Sequence, residues 1–261
     1  MTASLLPFPY RFGKLAPKTH PKTLLFDHYL TDDARDGLLP AIPARVYREY
    51  KVPENGWGMY GNDVCGDCTC AAKAHIIMLC TAHTGTLFIP DPAEVLKMYS
   101  AISGYDPATG ANDNGCAMTD VLNYMQTAGL QGHKILAWAA IDQSNALRLR
   151  QGVYIFGAVD TGFNVPASAM QQFQDGQPWT VVADDGGIEG GHDVPYFGDG
   201  ANGYSCLTWA KNQKLSNGFE TAYTDEAYVP IFQDWLDNAD GLAPNMLNLD
   251  ALTADLKLIT S

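Results

Sequence analysis

The change of character near residue 131 constrains this fold more than any other feature of the sequence. Before it, three stretches carry helix signals. Asp67 is a good N-cap, and the run from Cys68, rich in Ala, Ile and Leu, predicts a helix to about His83. "DPAEVLKMYS" places Asp91 at the N-cap, Pro92 at N1 and Glu94 at N3. In "TDVLNYMQTAG", Thr119 is the expected cap, Val121, Leu122 and Met125 share a face, and Gly129 ends the helix. Past that point the chain turns β-prone. "HKILAWAAI" and "GVYIFGAVD" read as strands, with a short helix near 142–151 that ends at Gly152. "GGHDVPYFGDGANGYSCLTWA" reads as strand, Gly/Asn/Asp loop, strand, and "GFETAYTDEAYVPIF" as a further strand and turn. Helices followed by antiparallel strands argue for an α+β fold rather than a parallel sheet. The expected division is a helical lobe over 61–130 and a β-rich lobe over 131–230. A Pro-rich extended arm over 1–60, with a short helix near 31–37, precedes them, and a tail over 231–261 holds one or two short helices.

With 261 residues, 46% of them hydrophobic, the chain can bury the core of one large domain or two packed lobes. Its net charge of −13 argues against nucleic acid and anionic membrane as partners. No apolar run reaches the roughly 18 residues of a membrane helix. The first residues lack a basic segment followed by an apolar core, so no signal peptide is expected and the compartment is expected to be reducing. Six cysteines are too few for a disulfide scaffold.

Three of those cysteines crowd into "GNDVCGDCTCAA", residues 61–72. Cys65 and Cys68 have zinc-ligand spacing, but no second pair follows, so the metal reading ranks lowest and no metal or cofactor is expected. As small buried residues, Cys70 and Cys80 fit well in a helix core. The third reading is a nucleophile. A thiol in the first turn of a helix feels the positive end of the macrodipole, which favours its thiolate, and Cys68 holds that position. The carboxyl of Asp67 opposes this, so an imidazolium partner is required.

The stretch Cys65-Gly66-Asp67-Cys68-Thr69 resembles the nucleophile signature of papain-like cysteine peptidases, matching at both cysteines and the glycine. The resemblance implies a two-lobe papain-like fold with Cys68 as nucleophile and His192, in "GGHDV", as its base. It places Asn62, six residues before Cys68, where the family has an amide donor to the oxyanion hole, with the backbone N–H of Cys68 as second donor. Aligning Trp209 with the family's shielding Trp puts Leu207 at the position of the Asn that orients the His. Thr208 is then the nearest polar substitute, with Asp193 and Asp199 as weaker ones. The resemblance also implies a Cys65–Cys116 pairing, and it sets Gly66 and Trp209 in the substrate cleft. Ala117, Met118 and Thr119 stand where the family has backbone-binding glycines. The pattern "GND..GDC..AA..H" is in addition similar to uncharacterised papain-fold proteins of phage and bacteria, which implies a cytoplasmic or phage-associated protein.

Other residues read more plainly. Gly190 and Gly191 fit either close approach of a substrate backbone or a bulge. His75 is two turns along the helix from Cys68, too far to act as its base within that helix, and reads as a core or lobe-interface histidine. The acidic Gly-rich pairs near 184–187 and 199–200 read as turns. The expected function is a Cys–His hydrolase, peptidase or acyl transferase acting on a peptide or other amide or ester. The rival is a non-catalytic binding or virion protein on the same scaffold.

Overall fold

The computed structural model describes residues 9–18, 23–30, 42–46, 52–53, 56–200 and 202–236. The expected helix near 31–37 and the tail beyond 236 lie outside the described residues.

Helix α1 spans Cys68–His83, α2 Pro92–Ser103 and α3 Met118–Thr127. As expected, Asp91 caps α2, its side chain accepting the Ala93 N–H, and Gly104 closes it in a left-handed conformation. Two caps differ from expectation. Asp67 occupies the N-cap of α1 but makes no capping bond, and α3 starts one residue before Thr119, with Ala117 at its N-cap. Nearly every residue of α1 is buried, which explains why it shows little amphipathic period: it is the central helix, covered on all sides.

The β region is one antiparallel sheet in the order β1-β6-β2-β3-β4-β5, formed by β1 Ile135–Ala140, β2 Val159–Pro166, β3 Ile188–Gly200, β4 Gly203–Thr208, β5 Lys211–Ser216 and β6 Thr224–Phe232. Helix α4, Ala146–Phe156, runs straight through Gly152 and ends at Gly157. Gly152 is a packing position rather than a terminator: a Cβ there would lie 2.6 Å from Val159 Cγ2. The β-prone "VYIF" is therefore helical because α4 lies on the sheet and buries it. Helix α5, Ala167–Gln174, and strand β5 carried no clear sequence signal, and "NGFETAY" forms helix α6, Asn217–Tyr223, where a strand was expected. The side chain of Ser216 caps α6. A short helix, α7, spans Gln233–Leu236. Among the described residues no helix is long and apolar enough to cross a membrane.

Helix α1 packs against β3, and a fully buried charge cluster joins them. Lys73 Nζ on α1 lies 2.5 Å from Asp160 Oδ2 on β2 and 2.9 Å from Asp193 Oδ2 on β3. The two carboxyls hold Lys73 firmly charged against the pull of burial, and burial pushes the Asp193 carboxyl well up. This cluster fixes the helix that begins at Cys68 to the strand that carries His192.

Candidate active site

Cys68 is the first residue of α1, and His192 lies on β3 opposite Phe163 of β2. Both are buried. With Asn62, His75, Thr208 and Trp209 they line one void of about 10 Å³, close to the size of a single water. His192 Nε2 is 2.7 Å from Thr208 Oγ1, the last residue of β4. In the tautomer protonated at Nε2, that N–H donates to the threonine and Nδ1, buried and with no hydrogen-bond partner, keeps its lone pair. The indole of Trp209 stacks on the imidazole, with centroids 4.3 Å apart and planes 19° apart. Trp209 and Ala210 form the two-residue turn between β4 and β5, both at positive φ (43° and 61°). Such turns favour Asn-Gly. A Trp-Ala pair there stores backbone strain next to the histidine it covers.

Water is excluded from both groups, and this sets their protonation. Burial, reinforced by Asp193, pushes the Cys68 thiol up to about 12, although the backbone N–H groups of Asp193 and Gly13 donate toward the sulfur. Burial, with His75 nearby, pushes His192 down to about 3. In this state the pair is a neutral thiol beside a neutral imidazole. Asp67 is pushed well up by burial, which weakens its opposition to a thiolate at Cys68. His75 is likewise lowered by burial, to about 4, and its Nε2 meets the carbonyls of Trp57 and Gly58 at 2.8 and 3.1 Å. This is the core histidine that its place on α1 suggested.

What excludes the water is the arm. Residues 10–15 run between the two lobes and are paired to both. Arg11 N–H donates to Asn62 O, Cys116 N–H to Gly13 O, Leu15 N–H to Cys116 O, and Lys14 N–H to Gly191 O, all at 2.9–3.1 Å. Asn62 Nδ2 donates to the carbonyls of Arg11 (3.1 Å) and Cys65 (3.3 Å). Tyr10 and Phe12 pack on Trp209, and Phe12 also meets the His192 ring edge-on at 5.9 Å. The slot admits a bare backbone. A Cβ on Gly13 would sit 1.7 Å from Gly66 O, and one on Gly191 would sit 2.3 Å from Lys14 O.

No protein-family model and no curated protein matches this sequence. Solved structures do match. Xylellain, a cysteine protease from Xylella fastidiosa, superposes with a TM-score of 0.63 at 14% identity, covering 86% of this chain and 97% of its own. Procathepsin B S9 from Trypanosoma congolense gives 0.57 at 12%, covering 87% of each chain. Digestive procathepsin L 3 of Tenebrio molitor gives 0.55 at 14%, covering 86% of this chain and 77% of its own. The fold is papain-like.

On this papain-like scaffold the residues singled out in the sequence fall into two groups. Cys68, His192, Asn62, Thr208 and Trp209 come together around the void, and Gly66 and Gly191 line the slot that holds the arm. The Cys65–Cys116 pairing is a correction. All six cysteines are free thiols, Cys65 turns to Gly61 O at 3.6 Å, and the thiol beside Cys116 is that of Cys70. Cys70 points there because it is two residues into α1, on the side facing the segment before α3. On this side the arm's backbone is bonded by Cys116, next to Ala117, Met118 and Thr119. Asp193 and Asp199 do not orient His192: they bond Lys73 and Arg150 respectively. Among the described residues no group of three or more His, Cys, Asp or Glu is placed to hold a metal ion. Sequence reasoning missed Phe12, Gly13 and Lys14, which lie in a segment without periodicity. It also missed Lys73, whose only signal is a lone cation in the middle of an otherwise apolar helix.

Proposed function

We propose that this chain is a papain-like cysteine hydrolase of peptide or other amide bonds, latent while residues 10–15 fill its cleft. The observation that carries the reading is the histidine. Its Nε2 is bonded to Thr208, its face is covered by Trp209, its Nδ1 is left unbonded, and the residue lines the same void as Cys68. With the arm displaced and water admitted, the penalty that burial places on both charged forms falls, and His192 takes the Cys68 proton to give a thiolate–imidazolium pair. The thiolate attacks the carbonyl carbon. Asn62 Nδ2, freed from Arg11 O, and the Cys68 N–H receive the oxyanion. His192 returns its proton to the leaving amine, then deprotonates the water that releases the acyl group and regenerates the thiol.

One observation favours the rival reading of a binding protein: the void holds about one water, and the arm closes it by pairing with both lobes. The two readings separate on turnover. The full chain carrying Phe12→Ala, which loosens the arm, is incubated with a library of fluorogenic peptide amides, beside the same protein with Cys68→Ala or His192→Ala. The enzyme reading expects release of the fluorophore that either second substitution lowers by at least about 10²-fold. Equal rates in all three proteins would support the binding protein.

A further inference from the structure

Lys14 is the arm residue whose side chain leaves the cleft for a pocket in the β-rich lobe. The whole residue is 6% exposed. Its Nζ lies 3.0 Å from Asp225 Oδ2 and 3.0 Å from Glu226 Oε1, and 3.2 Å from its neighbour's carbonyl, Leu15 O. Asp225, Glu226 and Gly162, which meet this side chain, belong to the body of the protein rather than to the arm. Asn164 Nδ2 donates to Asp225 Oδ2 at 3.3 Å, and Tyr228 O–H donates to Glu226 Oε2 at 2.8 Å, so both carboxyls are held in orientation. Gly162 makes the passage: a Cβ there would lie 2.1 Å from Lys14 Cε and 2.6 Å from Met118 Sδ. The mouth opens beside Gly191, the residue before His192, where the Lys14 N–H is bonded.

We infer that, once the arm leaves, the Asp225–Glu226 pocket receives a lysine or arginine side chain of the substrate, so that this site selects peptides carrying a basic residue close to the amide that is broken. The inference rests on the hydrolase reading above and adds the substrate class. Two adjacent carboxyls, one of them nearly buried, repel each other and lack solvent unless a cation lies between them. A neutral side chain entering the pocket would leave them unpaired, which is how a polar site rejects an apolar isostere. Lys14 is the chain's own occupant and shows the length that fits. Burial raises the Glu226 carboxyl while Lys14 draws it down, in keeping with a site that needs its cation.

The test uses the full chain with Phe12→Ala, which loosens the arm, and Lys14→Ala, which vacates the pocket, together with paired fluorogenic peptides with lysine or norleucine scanned through the three residues before the scissile amide. At one position kcat/KM for lysine should exceed that for norleucine by at least about tenfold, and adding Asp225→Asn and Glu226→Gln should erase the preference. Equal turnover of both peptides would overturn the inference and leave the hydrolase reading standing. If neither peptide turns over, the hydrolase reading fails, and a second measurement decides the pocket. Butylammonium chloride should raise the melting temperature of Lys14→Ala above that in equal sodium chloride or butanol, and should not do so in wild type or after Glu226→Gln. No such difference would overturn the pocket. Should Lys14→Ala not fold, Lys14→Ser, equally short and uncharged, takes its place in both measurements.

Discussion

At the scale of single residues, the site turns on how His192 is held. A threonine hydroxyl fixes a ring less firmly than an amide, since it rotates about one bond and offers one oxygen. The stacked indole of Trp209 supplies the missing restraint. Thr208→Val keeps the shape and removes the bond. In the Phe12→Ala protein it should slow peptide hydrolysis by about 10²-fold, as loss of orientation does, while Thr208→Ser retains most of the rate. A rate unchanged by Val would remove Thr208 from the account. Burial also makes His192 a pH-dependent liability to folding. Its folded-state pKa, about 3, lies below its ordinary 6.5, so between those values the unfolded chain binds the proton more readily. The stability it contributes is complete above pH 6.5 and is lost as pH falls toward 3. Urea midpoints of wild type and His192→Phe should therefore diverge on acidification, with wild type losing more between pH 6.5 and 4. Parallel curves would contradict the burial. The cysteine spacing, the downstream His and the amide at Asn62 were legible because short motifs impose their chemistry locally. The Cys65–Cys116 pairing was not, because which thiol faces Cys116 depends on how the segment before α3 lies on α1.

At the scale of elements, the Lys73 cluster joins the helix that begins at Cys68 to the strand that carries His192. Its three groups are fully buried, and Lys73 Nζ lies within 2.9 Å of both carboxyls. Removing one partner of such a group leaves an uncompensated charge, with a loss of about 3–5 kcal/mol. Lys73→Met should therefore lower the urea unfolding free energy by that amount, and Asp160→Asn added to it should restore part. A change under about 1 kcal/mol would mean that the cluster behaves like an exposed pair. Elements were legible where local chemistry decided them, as with Asp91-Pro92 at the start of α2 or the hairpin of β3 and β4. They were misread where packing overrode propensity. Gly152 looks like a terminator but lies in α4 against Val159, and "NGFETAY" is helical because Ser216 caps it. Lys73 itself reads as an oddity until Asp160 and Asp193, far along the chain, are brought beside it.

At the scale of the whole molecule, the order of helices and strands was enough to give an α+β fold, and the motif resemblance to give its two lobes. The path of the arm was legible in neither. Nothing in "YRFGKL" announces that Gly13 will lie against Gly66, or that Phe12 will close over His192. That fit arises from two lobes meeting around a bare stretch of backbone. It is also what makes a neutral thiol and imidazole the stable pair here, and what links access to the cleft with the reactivity of Cys68. The most direct test is the rate at which iodoacetamide alkylates each cysteine of the full chain at neutral pH, read by peptide mass spectrometry. In wild type, Cys68 should react as slowly as the core thiol Cys80. In Phe12→Ala it should react at least about 10²-fold faster than Cys80, and His192→Ala should abolish the gain. Cys68 reacting no faster than Cys80 once the arm is loosened, or equally fast without His192, would contradict the account.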